Sequence, residues 1–249
     1  QKIKSEQKQM TNEEKIQKYV YDLNWINNIL HDFTTRLVFM EITEEYCKHK
    51  NIPIISSMCN AMANDAVLKI TSIYDKNSKV LSIYYLLKWI RENQNFIKKY
   101  VHALGLNFTN SDVNLITKKI EKFKYLIKKF RDVRNMLVGH SNRQMVDMVD
   151  IRRNLMNKKI IKSKEIFNEE SKNYMKKIHG FLLEIKDFVE IRKQTIDILN
   201  DLKNILKMPD RIFGKSGNFE EWESFYENQK KESKKLFELI LNNHSFLEH

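Results

Sequence analysis

Arg134, Asn135 and His140 are the residues whose types and spacing offer chemistry. Histidine, with an ordinary pKa of about 6.5, can take a proton from a ribose 2′-hydroxyl or return one to a leaving oxygen. Arginine presents forked donors to phosphate oxygens as negative charge accumulates in a transition state. Asn135 can orient either group by hydrogen bonding. One Arg and one His converging in a basic cleft can therefore cleave RNA without a metal ion.

The segment that carries these residues reads as a helix. At about 100° per residue, with Phe130 as origin, Phe123, Leu126, Ile127, Val133 and Leu137 fall within about 60° and form a stripe to be buried. Arg134 lies about 40° from Phe130, inside that stripe. A buried unpaired charge costs several kcal/mol, so Arg134 must snorkel, pair within the fold, or face a water-filled cleft. On an unbroken helix, positions 134 and 140 would stand about 240° apart and could not share a site. A stop at Gly139, through the left-handed conformation glycine tolerates, would free His140 to fold back. Taken alone, a histidine there would stabilise the end of the helix dipole.

Around this motif, Arg131 and Arg143 flank the expected cleft, and Lys118, Lys119, Lys122, Lys124, Lys128 and Lys129 lead into it. They either hold an RNA backbone, with Arg131, Arg143, Lys128 and Lys129 nearest, or form the solvated face of an amphipathic helix. Asp75 closes an earlier helix and could pair with Arg134 or position His140, or simply form an Asx turn.

Composition sets the elements that must position these groups. The 249 residues are 42% hydrophobic and 11% aromatic, enough for a real core. Only 5 Gly and 2 Pro occur, which removes the turn chemistry of hairpins, barrels and phosphate-cradling loops and leaves helices. Lys and Arg number 44 against 32 Asp and Glu, a net charge of +12 that favours polyanions and makes nucleic acid the first partner to consider. Cys47 and Cys59 fit neither a disulfide framework nor a zinc site, so a reducing cytoplasm and no metal are expected. No apolar run approaches the roughly 20 residues that span a bilayer, and Gln1 to Lys4 lack a signal peptide's hydrophobic core, so neither membrane nor export is expected.

Thr11 and Glu14 make a capping box, and apolar residues recur from Ile16 to Met40, predicting one long helix to about Lys48 that ends before Asn51-Ile52-Pro53. A second helix is predicted from Ser56 or Ser57 to Tyr74, with Asp75 to Ser78 as a turn. A third runs from about Leu81 to Leu104, with Gly105 as its stop, and a fourth from a cap at Asn110 or Ser111 to Val138. A fifth is expected over about Ser163 to Met208, then a linker from Pro209 to Asn218 and a last helix from Phe219 to Leu241. The fold class is thus all-α: an up-and-down bundle over residues 10–208, a linker and C-terminal helical appendage over 209–246, and Leu247-Glu248-His249 as an expression-tag remnant.

Arg134-Asn135, four residues and then His140 at the end of a bundle helix resemble the Arg-polar-(x)-His signature of the HEPN superfamily of helical ribonucleases. Ile70 to Asp75, followed by Leu81-Ser82-Ile83 and Leu86-Leu87 upstream of Arg131 to Asn135, is similar to its AbiU-type abortive-infection branch. The likeness runs over residues 10 to 205 or so. It implies a symmetric or pseudo-symmetric dimer whose motifs share one composite cleft. It also implies metal-independent, cofactor-free endoribonuclease cleavage leaving a cyclic phosphate, and a role in toxin–antitoxin or antiviral defence, with a neutralising antitoxin protein as a further partner class. Arg134, Asn135 and His140 are the residues carried over. Gln144 stands where one branch has a tyrosine four residues past the histidine, so control by modifying that tyrosine has no target here.

The competing expectation is a non-catalytic HEPN-type module that binds RNA or protein in the same cleft; a DNA-binding regulator is weaker because no compact helix-turn-helix spacing stands out. Gly214-Lys215-Ser216 lacks the glycine and preceding strand of a phosphate-binding loop. Trp25, Trp89 and Trp222 fit apolar stripes and are expected in the core, and His31, His102 and His179 have no ligand-spaced neighbours.

Overall fold

The computed structural model describes residues 10–47, 53–77, 79–139, 183–206 and 219–244, and every regular element among them is a helix. α1 (Asn12–Cys47) starts where the capping box predicts: the Thr11 N–H donates to the Glu14 carboxylate (2.6 Å) and the Glu14 N–H to Thr11 Oγ1 (3.2 Å). α2 (Pro53–Ile73) begins earlier than the serines suggested, because proline at a first helical position forgoes an N–H that has no partner there.

The predicted third helix is two, α3 (Ile83–Glu92) and α4 (Gln94–Ala103), separated at Asn93 (φ −109°, ψ 19°). α4 stops at Gly105 as expected, with φ 71° and a paired set of closing bonds, Leu106 N–H to Val101 C=O (3.1 Å) and Gly105 N–H to His102 C=O (2.9 Å). The predicted fourth helix is also two, α5 (Asn110–Lys122), capped by Thr109 and not by Asn110 or Ser111, and α6 (Lys124–Gly139). α7 (Ile185–Ile205) lies within the predicted fifth helix, whose first part falls outside the described residues, as do the linker, His179, His140 and Arg143. α8 (Phe219–His244) completes the set.

Cross-helix pairs fix the directions. Arg36 meets Asp65 (2.6 Å) and Asp32 meets Lys69 (2.9 Å), so α2 runs antiparallel to α1. Tyr19 OH donates to the Leu202 carbonyl (2.7 Å) while Phe33 stacks on Phe188, so α7 is antiparallel to α1 as well. Lys119 with Asp197 and Asp201, and Phe130 with Phe188, set α5–α6 antiparallel to α7. α8 lies parallel to α1 and packs on it: His31 meets Trp222, Glu41 meets Tyr226, and Glu45 meets Lys234. The core is centred on α1, whose Ile26, Leu30, Phe33, Leu37 and Ile42 are fully buried. Trp222 is buried and Trp89 packs against the core, but Trp25 is half exposed, contrary to its expected place. None of the described helices is long and apolar enough to cross a membrane.

His31 sits between rings of α8, 4.3 Å from Trp222 and 4.4 Å from Phe225. Burial lowers its pKa from the ordinary 6.5, with Asp32 acting upwards and Arg192 downwards. The unfolded chain therefore binds the proton more readily than the folded one, so stability is full above about pH 6.5 and declines as the pH falls through that value. Thermal melts between about pH 5 and pH 8 should show this decline in the native protein and a shallower one in His31→Leu; equal slopes would exclude it.

Candidate active site

The site is built on the end of α2. Tyr74 is fully buried; its hydroxyl shares a hydrogen bond with Thr195 Oγ1 (2.9 Å) and its ring meets Phe123 edge-on (5.8 Å). Those contacts tie the end of α2 to α7 and to the α5–α6 junction. They also fix the residue that follows. The backbone carbonyl of Asp75 accepts from Ser82 Oγ (2.7 Å), and its Oδ1 accepts from the Asn77 N–H (2.8 Å) in an Asx turn. Ser82, fully buried, in turn caps α3 by accepting from the Tyr85 N–H (3.2 Å).

Asp75 Oδ2 remains, and it faces Arg134 Nη1 at 3.6 Å. Both of the roles weighed for Asp75, turn former and arginine partner, are thus present in one side chain. Asn135 Oδ1 accepts from Arg134 Nε (3.4 Å) and Nη2 (3.2 Å), so the amide holds the guanidinium from its other edge. One turn earlier, Arg131 Nη2 donates to the Tyr74 carbonyl (3.4 Å). α2 carries no basic residue in its own last turn, and these two arginines of α6 supply the positive charge that its C-terminal dipole favours.

The buried stripe of α6 is as the spacing predicts, with Phe123, Leu126, Ile127 and Phe130 in the core and Val133 partly buried. Arg134 is neither sealed nor free: its side chain is 30% exposed and that of Asp75 29%. An ion pair in that setting is worth at most about 1 kcal/mol, so a phosphate can join or replace the carboxylate without a large penalty.

The structure thus brings Arg131, Arg134, Asn135 and Asp75 together. Lys128 stands on the same side of α6 as Arg131, paired with Asp132 (3.2 Å) and 75% exposed. Lys129 turns the other way and bonds Asp187 at the start of α7 (2.7 Å). Lys119 is likewise held by Asp197 (2.8 Å) and Asp201 (2.6 Å). α6 is helical through Gly139, which does not take the left-handed conformation expected of it as a stop, and His140, the next residue, lies outside the described residues. Sequence reasoning missed the Ser82 and Tyr74 contacts that position Asp75; a serine seven residues after an aspartate is too common a pair to signal them. Among the described residues no group of three His, Cys, Asp or Glu side chains could hold a metal ion.

Fold and site define an all-α bundle that presents an arginine pair of one helix and a carboxylate at the end of another. No family model, curated protein or solved structure matches the chain.

Proposed function

We propose that this chain is an endoribonuclease of a toxin–antitoxin or antiviral defence system, acting in the cytoplasm as a homodimer with a composite cleft. A ribose 2′-oxygen attacks the adjacent phosphorus, the 5′-oxygen leaves, and the products carry a 2′,3′-cyclic phosphate and a 5′-hydroxyl. His140 handles the proton at one of these oxygens, Arg134 meets the charge that accumulates on the phosphoryl oxygens, and Asn135 and Asp75 hold the guanidinium in place. The observation that carries the reading is the partly exposed Arg134 of α6, set between Asp75 and Asn135, with His140 following a few residues on in the chain.

Purified protein should cut RNA in EDTA, and His140→Ala should lower the rate by about a hundred- to ten-thousandfold, the span of general acid–base catalysis, while the helical circular dichroism signal stays unchanged. End mapping should find cyclic phosphates. A second reading, a non-catalytic RNA- or protein-binding module, is favoured by the aspartates that pair Lys119, Lys128 and Lys129. Intact RNA after long incubation, with binding that weakens steeply in salt, would establish it.

A further inference from the structure

Lys124, Lys128, Arg131 and Asn135 recur at i, i+4, i+7 and i+11 on α6 and so form one ridge, with Arg134 beside its end. The Lys124 and Lys128 side chains are 61% and 75% exposed, and their ion pairs to Glu121 and Asp132 lie in water, where such pairs hold little. Beside this ridge the connection between α2 and α3 raises Lys76, itself exposed, whose Nζ stands 5.5 Å over the ring of Tyr84. Tyr84 is half-buried. Burial raises its phenol pKa above the ordinary value; Arg131 and Lys124 act against that shift and Glu121 adds to it, so the ring lies among the charges of the ridge.

An aromatic ring walled by cations at the side of a cationic ridge is a poor fit to a duplex, which offers phosphates but keeps its base faces covered. It suits a strand whose bases are free to stack. The ammonium of Lys76 over the ring marks an accessible π face, and a base arriving there would displace it towards the phosphates. Resting on the ribonuclease reading, we propose that this trough is the track for an unpaired RNA strand. In it Tyr84 receives a stacked base, and Lys76, Lys124, Lys128 and Arg131 lead the backbone to Arg134. Lys76 and Tyr84 carry no motif, and Tyr84 sits in a run, Ile83 to Leu87, that the sequence presents as plain apolar packing.

The test is fluorescence anisotropy of the full chain with a labelled 12-nucleotide 2′-O-methyl RNA, unpaired or annealed to its complement. Methylated 2′-oxygens cannot attack, so the readout is independent of whether the protein cleaves. The unpaired strand should bind at least about tenfold tighter than the duplex, and Tyr84→Ala should weaken it about tenfold while Tyr84→Trp retains it. Tyr125→Ala, an exposed ring about 90° around α6 from the ridge, should change nothing. The double variant Lys76→Ala, Lys124→Ala, both exposed positions, should lower the salt slope by about 0.7 per lysine, and it carries the test should Tyr84→Ala melt early. Equal affinity for duplex and single strand, or equal losses from Tyr84→Ala and Tyr125→Ala, or an unchanged salt slope, would overturn the track. Tight unpaired binding without any cleavage of ordinary RNA would keep the track and remove the nuclease.

Discussion

Arg134→Ala is expected to slow RNA cleavage by about a hundred- to a thousandfold, the loss seen when one preorganised donor to a developing oxyanion is removed, and to leave stability nearly unchanged. The two halves of that expectation come from the same geometry. In the resting protein Arg134 meets Asp75 at 3.6 Å, too long for a hydrogen bond, and both side chains are about a third exposed, so the pair contributes about 1 kcal/mol or less to folding. Asp75 keeps its turn through Oδ1 and its backbone bond to Ser82 when the arginine is gone. In the transition state the guanidinium faces a phosphate with an added charge and little competing water, where the same donors count for much more. Arg134→Lys should recover only part of the rate, because one ammonium cannot span two phosphoryl oxygens. Single-turnover cleavage of an end-labelled RNA measures this, and a rate that falls only in proportion to the unfolded fraction would remove Arg134 from the chemistry. The same variant tests the shared cleft. Neither Arg134→Ala nor His140→Ala should cut alone, but if arginine and histidine act across the dimer, mixed protomers hold one intact pair and activity returns; if the pair lies within one protomer, it does not.

The helical architecture was legible because its signals are local. A capping box at Thr11, a glycine at 105 and a regular apolar period each act within a few residues, and α1, the end of α4 and the stripe of α6 follow them. The breaks at Asn93 and Phe123 were not legible, for a physical reason. Buried residues run 83, 86, 87, 90, 97, 101 across the first and 113, 116, 120, 123, 127, 130 across the second, so the apolar period passes through a one-residue departure with no change of phase. Phe123 is itself in the core, against Tyr74, and nothing in its type marks a turn. Trp25 failed for a different reason: among the described helices α1 packs against α2, α3, α7 and α8, so apolar residues occur on several of its faces, and the sequence does not say which of them is left exposed. At the site, the unusual position of Arg134 on an apolar stripe was readable, and Asp75 and Asn135 were among the partners weighed for it, whereas the bond of Arg131 to the Tyr74 carbonyl was not, since it joins residues far apart along the chain with no local signal.

Trp222→Ala is expected to cost about 3–5 kcal/mol, the range for deleting a large buried aromatic ring, and to release α8 before the rest of the bundle. Trp222 is 1% exposed and closes a small assembly at the meeting of α1, α7 and α8. Its ring lies against His31 and, edge-on, Phe225 at 6.2 Å, and its carbonyl accepts from Arg192 Nη2 at 3.0 Å. Arg192 is 3% exposed, pairs with Glu223 (2.9 Å) and lies 4.4 Å over the ring of Tyr226. Removing the indole therefore opens a void next to a buried charge, and the charge gains most by drawing water in, which weakens every contact of that end of α8. What else holds the helix is Phe237 and Tyr226 in the core, the Tyr226 hydroxyl donating to Glu41, and partly exposed polar links such as Tyr46 to Glu238 and Lys234 to Glu45, each of these links worth little in water. Hydrogen exchange should then show the α8 amides opening at a lower free energy than those of α1 and α2, whereas in the native protein the three should be closer together. Because His31 loses the ring that buries it, its pKa should relax towards the ordinary value, and the acid-side decline in stability should flatten in the same variant. Trp222→Ala and His31→Leu would therefore be less than additive in their effect on that slope. A loss under about 1 kcal/mol with unchanged α8 exchange would mean that the helix is held by its polar links, against the magnitudes such surface pairs show.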